Sequence, residues 1–230
     1  MKNKKRNSTN KNGRLLIYTG LVLISLSTGF LIYQNNRLES KKEEAIKLET
    51  LLTKENDLKV NTTKNKGAEK KNENTSITSI SDTGKDEIAE EYLSAIGVVR
   101  VDKIGVVLPI LENASNQSLL EGAGIVEGTD LPSSKENIIT VLAGHRGGGN
   151  EEQTFLNIDK LEKGDEIKVT TKEETLYYEV VGQEVIEPTD WSKFTREEGK
   201  TKLFLMSCHP YPKNYQRLLV KAELIKEAQN

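Results

Sequence analysis

The sequence predicts a mainly β fold, a closed barrel or a sandwich with a few short helices, preceded by an N-terminal membrane-spanning helix. Between residues 88 and 230, short runs of apolar and β-branched residues recur, and turn signals built on Gly and Pro separate them. Few stretches of this region have a helical period. Many short strands with few helices are typical of a closed β-barrel or a β-sandwich, and this pattern alone does not separate the two.

Composition limits the folded part of the chain and its partners. Of the 230 residues, 30% are charged, 35% are hydrophobic and only 5% are aromatic, which indicates one modest domain and a part of the chain outside any packed core. The net charge of -2 gives no global reason to expect nucleic acid as a partner.

The N-terminal region combines a basic tail, residues 1–14, with an apolar stretch, residues 15–33, that carries no charge. Nineteen helical residues at about 1.5 Å each span roughly 28 Å, close to the hydrocarbon core of a bilayer. A cleaved signal peptide is the alternative, but its apolar region would be shorter and would end in a small-residue cleavage site. We expect a retained single-pass helix in the cell membrane, with a cytoplasmic basic tail and an extracellular folded domain.

Residues 34–87 are expected to form a juxtamembrane helix and a flexible linker. Residues 37–60 mix opposite charges with apolar residues in a pattern that suits a spacer helix, and a coiled-coil dimer stays open although the apolar repeat is short. From residue 61 to about residue 85 the chain has almost nothing to bury. This linker would hold the folded domain, residues 88–230, away from the membrane.

The apolar runs of the folded domain predict its elements in order. Strands are expected at residues 96–101, 104–108, 137–142, 165–171, 175–186, 202–206 and 217–224. Short helices are expected at residues 115–121, 154–161 and 190–198.

The single cysteine of the chain is the first candidate for chemistry. Cys208 stands where the apolar run of residues 203–206 stops and a Pro-containing loop begins, at the end of a predicted strand. Nucleophiles are often placed there, on a rigid element that faces open space. One cysteine cannot form an internal disulfide, and a lone cysteine with a histidine elsewhere is a candidate nucleophile–base pair.

Of the two histidines, His145 is the better candidate for the base. It follows the apolar run of residues 138–143 and precedes Arg146 and three glycines, so bare backbone lies beside it where an extended chain could approach. A histidine that caps a turn is the structural alternative. His209 adjoins Cys208, but neighbouring side chains on a strand point to opposite faces, so we expect an exposed loop residue outside the site.

Arg217 opens the run Leu218–Val220, which is expected to pair with the cysteine strand as a hairpin. A guanidinium is always charged and offers several fixed donors, so it could stabilise an oxyanion near the cysteine. Considered alone, a surface arginine at the start of a strand is the simpler interpretation.

Together these positions resemble the sortases, cysteine transpeptidases of Gram-positive bacteria. The resemblance is carried by AGHRG around His145, by the apolar strand that ends in Cys208 and by NxxRLLV around Arg217. It continues in order through the segments IGVVRVDKIGVVLPI, EGTDLP, VLAGHRG, FLNIDKLEKGDEI and VIEPTDW, and it covers about residues 95–224. It implies a closed sortase-type β-barrel, and the anchor and linker suit the same family.

The chain also departs from the usual sortase pattern. Ser207 and Phe204 stand where sortases usually have threonines, and Ser207 keeps the hydroxyl but loses the methyl group. The anchor is like that of class A, whereas the loop CHPYPKNYQR has the length found in pilin-polymerising and some other classes. No Asp-Pro-Phe or Asp-Pro-Trp lid motif precedes Gly97 and no second membrane helix follows Leu224, so the subclass stays open.

The resemblance implies a membrane-anchored transpeptidase that cleaves an LPxTG-type sorting signal through a thioacyl-enzyme intermediate. Cys208 would be the nucleophile, His145 the general acid and base, and Arg217 the donor to the acyl oxygen. The implied partners are secreted proteins with C-terminal LPxTG-type signals and an amine from a cell-wall precursor or a pilin lysine, with no nucleic acid.

An apolar groove for the Leu and Pro of the signal is expected beside the cysteine. Its predicted lining consists of Val141, Leu142, Ala143, Val185, Ile186, Trp191, Leu205 and Ser207. Trp191 lies in the loop that determines substrate choice in sortases, and an ordinary core tryptophan is the alternative.

Two other functional classes stay open. A hydrolytic cysteine protease with the same residues would release an acid even when an amine is supplied, and a membrane-tethered binding module would contain an inert Cys208. Zinc is disfavoured because two histidines and one cysteine are a small supply of ligands. No cofactor is expected, although calcium stays open because acidic residues occur near the expected sheet without a diagnostic spacing.

Overall fold

The computed structural model describes residues 9–65, 94–147 and 154–225. The first eight residues of the predicted basic tail, most of the predicted linker and two of the glycines after His145 lie outside these ranges. The chain divides into two compact units, residues 1–40 and residues 41–230, which are described separately.

The first unit contains the N-terminal part of helix α1 (Thr9–Asn65). Its segment Leu15–Tyr33 has 19 residues, a mean hydropathy of 2.1 and no buried share. An apolar helix of this length fits a membrane anchor, because about 20 residues span the hydrocarbon core of a bilayer.

The described part of the second unit forms a closed β-barrel, which confirms the predicted fold class. The strands are β1 (Gly97–Val101), β2 (Val106–Leu111), β3 (Ala123–Ile125), β4 (Ile139–Ala143), β5 (Glu166–Thr171), β6 (Thr175–Ile186), β7 (Lys202–His209) and β8 (Gln216–Leu224). Around the barrel they follow the order β1-β2-β3-β4-β7-β8-β6-β5. The short helix α2 (Asn116–Glu121) and the 3-10 turns Asp102–Ile104 and Ile158–Lys160 complete the described elements.

The structure differs from the predicted elements at strand β3 and at residues 190–198. Strand β3 was not predicted, because three residues are too few to show an alternating pattern. The helix expected at residues 190–198 is absent from this described segment. Instead the Asp190 carboxylate accepts hydrogen bonds from the Ser192 amide and hydroxyl, a local arrangement that competes with a helix.

Side chains of the barrel form two apolar layers. Leu142 of β4 and Leu205 of β7 belong to the interior cluster of the barrel. Val141 and Phe204, one position earlier on the same strands, belong to a second cluster on the outer face. This separation follows from the two-residue period of a strand, and it divides the predicted groove residues between two faces.

The part of α1 that belongs to the second unit, residues 41–59, packs on the barrel. Ala45, Leu48 and Leu52 lie on one side of the helix at a spacing of three and four residues, and they are buried against the barrel. Their barrel partners are Ala95, Val98, Val107 and Leu111. The sequence predicted a spacer helix here, whereas the structure shows a helix that covers an apolar patch of the barrel.

Candidate active site

Cys208 is the penultimate residue of β7, and its thiol is free and half-buried. Because successive side chains alternate on a strand, Cys208 shares a face with Phe204 and Met206, which pack in the outer cluster. The thiol therefore lies at the end of an apolar outer surface of the barrel.

Arg217 is the residue directly opposite Cys208 in the antiparallel pair of β7 and β8, as the predicted hairpin requires. Side chains in such a pair lie on the same face with Cβ atoms about 4.5–5.5 Å apart. The Arg217 Nη1 donates to the carbonyl oxygens of Gln216 at 2.8 Å and Asn214 at 3.4 Å. In the part of the chain that the structure describes, no carboxylate forms an ion pair with Arg217, so its charge is not neutralised there.

His145 follows β4 and is half-buried at the same edge of the barrel. Strands β4 and β7 run parallel with Ala143 opposite Met206, and the Gly144 amide extends the ladder by donating to the Met206 carbonyl at 3.0 Å. The register therefore brings His145 level with Cys208. The structure brings together the three residues predicted to be catalytic at the ends of β4 and β7 and the start of β8.

Ser207 lies on the opposite face of β7 from Cys208 and is only 2% exposed. Its hydroxyl donates to the Gly144 carbonyl at 2.9 Å, next to His145. Gly144 itself faces the ring of Phe155 so closely that a Cβ would lie 2.5 Å from a ring carbon. Only glycine allows this approach, and the Ser207 bond then joins the ends of the two strands that carry His145 and Cys208.

Arg146 is a residue of the site region that the sequence did not identify. Its guanidinium pairs with Asp159 and contacts the ring of His209 and the carbonyl of Cys208. His209 is half-buried rather than exposed as expected. A signal was present in the sequence, since a charged residue stands between an apolar strand and glycines next to the candidate base, but nothing there identified Asp159 as its partner.

The predicted groove residues are divided among several locations. Val141, Ala143 and Ile186 belong to the outer cluster. Trp191 is 55% exposed, which excludes a core tryptophan. Its ring contacts Phe194, whose ring in turn packs edge-on against Phe204 of the outer cluster, with centroids 5.7 Å and 5.2 Å apart.

The remaining predicted groove residues do not face this surface. Leu142 and Leu205 are fully buried in the barrel interior, and Ser207 is turned away from the thiol face. Val185 is 43% exposed and lies on the opposite face of β6 from Ile186. These four residues therefore do not line a groove on the outer face, because they are buried in the interior or lie on the other face of their strand.

The segment between β6 and β7, residues 187–201, is hydrogen-bonded to the loop before β4. Arg196 donates to both carboxylate oxygens of Asp130, at 2.6 and 2.9 Å, and to the Asn137 carbonyl at 2.5 Å. The Arg196 hydrogen bond holds the pKa of Asp130 below its usual range, which keeps this pair charged. The sequence did not predict the contact between Arg196 and Asp130, because the two residues are far apart along the chain.

Among the described residues, no group of three or more His, Cys, Asp or Glu side chains is arranged to hold a metal ion. The acidic residues that left calcium open do not form such a group in the described ranges.

Comparisons with known proteins identify the family to which the folded part of the chain is similar. A family model described as a sortase domain matches residues 99–225. The chain is similar to Sortase D of Bacillus subtilis strain 168, with 28% identity over 206 residues, 87% of this chain and 92% of that protein. It is also similar to Sortase A of Bacillus anthracis, with 28% identity over 130 residues, 56% of this chain and 60% of that protein.

The barrel is also similar to solved structures of sortases. The Sortase C2 of Pilus Island 1 from Group B Streptococcus superposes with a TM-score of 0.55 and 35% identity, over 65% of this chain and 82% of that one. A lid mutant of Sortase A from Corynebacterium diphtheriae superposes with a TM-score of 0.56 and 31% identity, over 59% and 73% of the two chains.

Proposed function

This chain belongs to the sortase family of cysteine transpeptidases, and we propose that Cys208, His145 and Arg217 are the residues with which it cleaves an LPxTG-type sorting signal and joins the new carboxyl end to an amine. The observation that supports this proposal most directly is the strand register. Cys208 and Arg217 are cross-strand partners, and the parallel pairing of β4 with β7 brings His145 to the same edge.

In the first step, the Cys208 thiolate attacks the carbonyl carbon of the threonine in the signal. A carbon–sulfur bond forms, and the carbonyl electron pair moves to oxygen. Arg217 donates hydrogen bonds to this oxyanion, a contribution of about 2.7–4 kcal/mol if it equals other oxyanion donors. As the oxyanion collapses, the carbon–nitrogen bond breaks and the departing amine takes a proton from His145.

In the second step, an amine of the acceptor attacks the thioacyl carbon. The carbon–nitrogen bond forms, His145 takes the excess proton of the amine, and the carbon–sulfur bond breaks to restore the thiolate. One amide replaces another, so the reaction needs neither an oxidant nor a metal. Water competes with the amine for the same carbon, and its exclusion decides between transfer and hydrolysis.

The apolar outer surface next to Cys208 is the proposed binding groove for the Leu and Pro of the signal. Val141, Ala143 and Ile186 form its buried floor, and Trp191 forms an exposed wall. This assignment is supported by the shared face of Cys208, Phe204 and the outer cluster. Apolar surface of this kind recognises apolar side chains through the area that it removes from water.

The proposed partners are secreted proteins with C-terminal LPxTG-type signals and an amine from a cell-wall precursor or a pilin lysine. Sortases act at the cell surface, and the segment Leu15–Tyr33 suits an anchor in the cell membrane. We place the basic tail in the cytoplasm and the catalytic unit outside, because Lys and Arg near a membrane helix favour the cytoplasmic side.

The test is a peptide panel with the full chain in membranes or detergent. LPxTG-type peptides that vary at the third position are incubated with a glycine peptide, with a lysine-containing peptide or without an amine, and the products are identified by mass spectrometry. We expect an amide product with one of the amines, and none from Cys208→Ala. Acid alone in every mixture would indicate a hydrolase. No product, together with a thiol that does not react with a thiol-selective reagent, would indicate a binding module.

A further inference from the structure

Arg146 carries a side chain that is almost fully buried next to the backbone of Cys208. Its side chain is 6% exposed, although it follows a half-buried His145. A buried charge is costly unless it is paired and hydrogen-bonded, so its partners define why it is there.

The guanidinium of Arg146 joins three separate positions. Its Nη2 lies 2.8 Å from the Asp159 carboxylate, in the 3-10 turn Ile158–Lys160. Its Nη1 lies 2.7 Å from His209 Nδ1 and 3.4 Å from the Cys208 carbonyl oxygen. Arginine can only donate, so His209 Nδ1 accepts this hydrogen bond and the ring proton belongs on Nε2.

We propose that Arg146 is a positioning residue that sets the spacing of His145 and Cys208 through their backbones. Arg146 is the peptide neighbour of His145, and His209 is the peptide neighbour of Cys208. A bond between these two neighbours therefore spans the gap between the ends of β4 and β7. His209 follows Cys208 on β7, so its side chain points to the opposite face of the strand, and this bond holds the catalytic pair from the face opposite the thiol.

Asp159 holds the guanidinium in this orientation. Asp159 lies in a 3-10 turn whose first residue, Ile158, is fully buried in the barrel interior, and this burial fixes the turn. The carboxylate itself is 45% exposed, so solvent screens its charge and its main contribution is directional. The fork of a guanidinium can donate to Asp159 and His209 at the same time from different nitrogens, which the single ammonium of a lysine does less well.

Two other hydrogen bonds also connect the ends of β4 and β7. Ser207 donates to the Gly144 carbonyl, and the Gly144 amide donates to the Met206 carbonyl. Arg146 extends this series beyond the last backbone bond, where the ladder of β4 and β7 has ended. His145 and Cys208 therefore lie between the hydrogen bonds of Gly144 on one side and the hydrogen bond from Arg146 to His209 on the other.

The first experiment measures kcat and KM for the full chain carrying Arg146→Lys, Arg146→Met or Asp159→Asn. This readout rests on the proposed function, because it needs a sorting peptide. We expect kcat to fall about tenfold or more in Arg146→Met while KM changes less, since small displacements of reacting groups can cost up to about a hundredfold. Arg146→Lys should recover part of this loss, because it keeps the charge beside Asp159.

Arg100→Lys and Arg100→Met are the matched controls. Arg100 also joins a carboxylate of another element, Glu49 of α1, but it does so on β1, away from β7. We expect these controls to change the melting temperature and to leave kcat within about twofold of the native value, as contacts remote from the site do. All assays are run well below the lowest melting temperature of the set.

The second experiment follows the rate at which a thiol-selective reagent alkylates Cys208 as a function of pH, and it needs no peptide. The Arg146→Met profile should move to higher pH, because a misplaced His145 favours the thiolate less, and Arg146→Lys should lie between the two. The Arg100→Met profile should match the native one. If Arg146→Met does not fold, Arg146→Lys and Asp159→Asn provide the same comparison.

The inference is overturned if the Arg146 and Asp159 variants keep the native kcat and alkylation profile, or if the Arg100 controls change both to the same extent. If the native chain cleaves no sorting peptide but the alkylation profiles separate as expected, the proposed substrate is wrong and the positioning role stands. If sorting peptides are cleaved and the variants keep both the native kcat and the native alkylation profile, the positioning role alone is wrong.

Discussion

Arg217 lies between two strands, opposite Cys208 on β7 and opposite Ile186 on β6. Its donors contact backbone carbonyls of its own turn, and these are weaker competitors for a guanidinium than a carboxylate would be. Replacing it should therefore affect the reaction more than the fold. We expect Arg217→Ala to lower kcat/KM for a fluorescent LPxTG-type peptide about a hundredfold or more, as loss of an oxyanion donor does.

The control for this measurement is Gln216→Ala. Gln216 precedes Arg217 on β8 and donates to the exposed Glu187 carboxylate. Its removal should leave kcat/KM close to the native value. A native rate in Arg217→Ala, or an equal loss in both variants, would contradict the oxyanion role.

Ser207 allows a second prediction at the same scale, because its hydroxyl donates to the Gly144 carbonyl. Ser207→Ala leaves this carbonyl without that donor and should lower the free energy of unfolding by about 1–3 kcal/mol, with a fall in kcat. Ser207→Thr keeps the donor and should stay closer to the native protein. Urea unfolding and peptide cleavage measure both. A more stable Ser207→Ala protein would show that the bond is unimportant.

The sequence predicts some of these residues well and others poorly, for a physical reason. Cys208 and Arg217 stand on adjacent strands of a hairpin, so local order along the chain is enough to predict their pairing, and the register confirms it. Arg146 is buried and His209 is half-buried, because Arg146 contacts both His209 and Asp159, and the three residues come from different parts of the chain. Without the barrel, a polar residue in a glycine-containing loop is expected to be exposed.

At the scale of an element, the C-terminal part of α1 has contacts that its sequence did not predict. The sequence predicted a spacer helix, and in the structure Glu49 of this helix is buried and its carboxylate accepts hydrogen bonds from Arg100 Nε at 2.8 and 3.1 Å. Lys168 of β5 lies 3.3 Å from the same carboxylate. The polar residue therefore belongs to the docked face, next to Leu48 and Leu52.

This contact makes stability depend on pH. Burial raises the pKa of Glu49, but the hydrogen bonds and charges of Arg100 and Lys168 outweigh burial and hold the pKa below its usual value of 4.5. A carboxyl with a lowered pKa in the folded state stabilises the protein above the unfolded value, and this contribution is lost as the pH falls through the folded value. Glu49→Gln should lower the free energy of unfolding by on the order of 2 kcal/mol at pH about 7, and by less at pH about 3.

Urea unfolding of the full chain at the two pH values measures this difference. The matched control is Glu55→Gln, which breaks a partly exposed ion pair with Lys59 on the same helix. Such pairs contribute about 0.3–0.5 kcal/mol, so the control should change little at either pH. A Glu49→Gln effect that is no larger than the control, or that grows as the pH falls, would contradict the assigned contact.

The segment between β6 and β7 is the second element whose contacts the sequence did not predict. Arg196→Met removes its bonds to Asp130 and to the Asn137 carbonyl and should loosen the segment that carries Trp191. We expect KM for the peptide to rise severalfold with a smaller change in kcat, because the groove would have to be ordered on binding. Glu197→Gln, in the same segment but paired only with exposed or half-buried lysines, is the control. Equal KM values in the two variants would show that the Arg196 bonds do not shape the groove.

In the whole molecule, the site depends on a parallel pair of strands that are distant in the chain. Strands β4 and β7 are neighbours in the barrel although β5 and β6 lie between them in sequence. Apolar runs predict that strands exist, but they do not predict the order of strands, because the runs resemble one another. The resemblance to sortases implied a barrel with His145 and Cys208 in one site, and the pairing of β4 with β7 comes from the structure.

The division into two units leads to a prediction about truncated chains. Removal of residues 1–40 deletes Leu15–Tyr33 but keeps the docked part of α1, so the protein should leave the membrane fraction and still cleave a soluble peptide. Removal of residues 1–65 also uncovers Val98, Val107 and Leu111. That chain should melt at a lower temperature, because each leucine lost from the interface contributes about 1.5–3 kcal/mol of burial.

Membrane fractionation, calorimetry and peptide cleavage on the three chains separate these contributions. If residues 41–230 stay with washed membranes, Leu15–Tyr33 is not the sole anchor. If residues 66–230 melt at the same temperature as residues 41–230, the docked helix adds nothing to the barrel. The expected order would show that Leu15–Tyr33 determines the membrane fraction, whereas Ala45, Leu48 and Leu52 determine part of the stability of the catalytic unit.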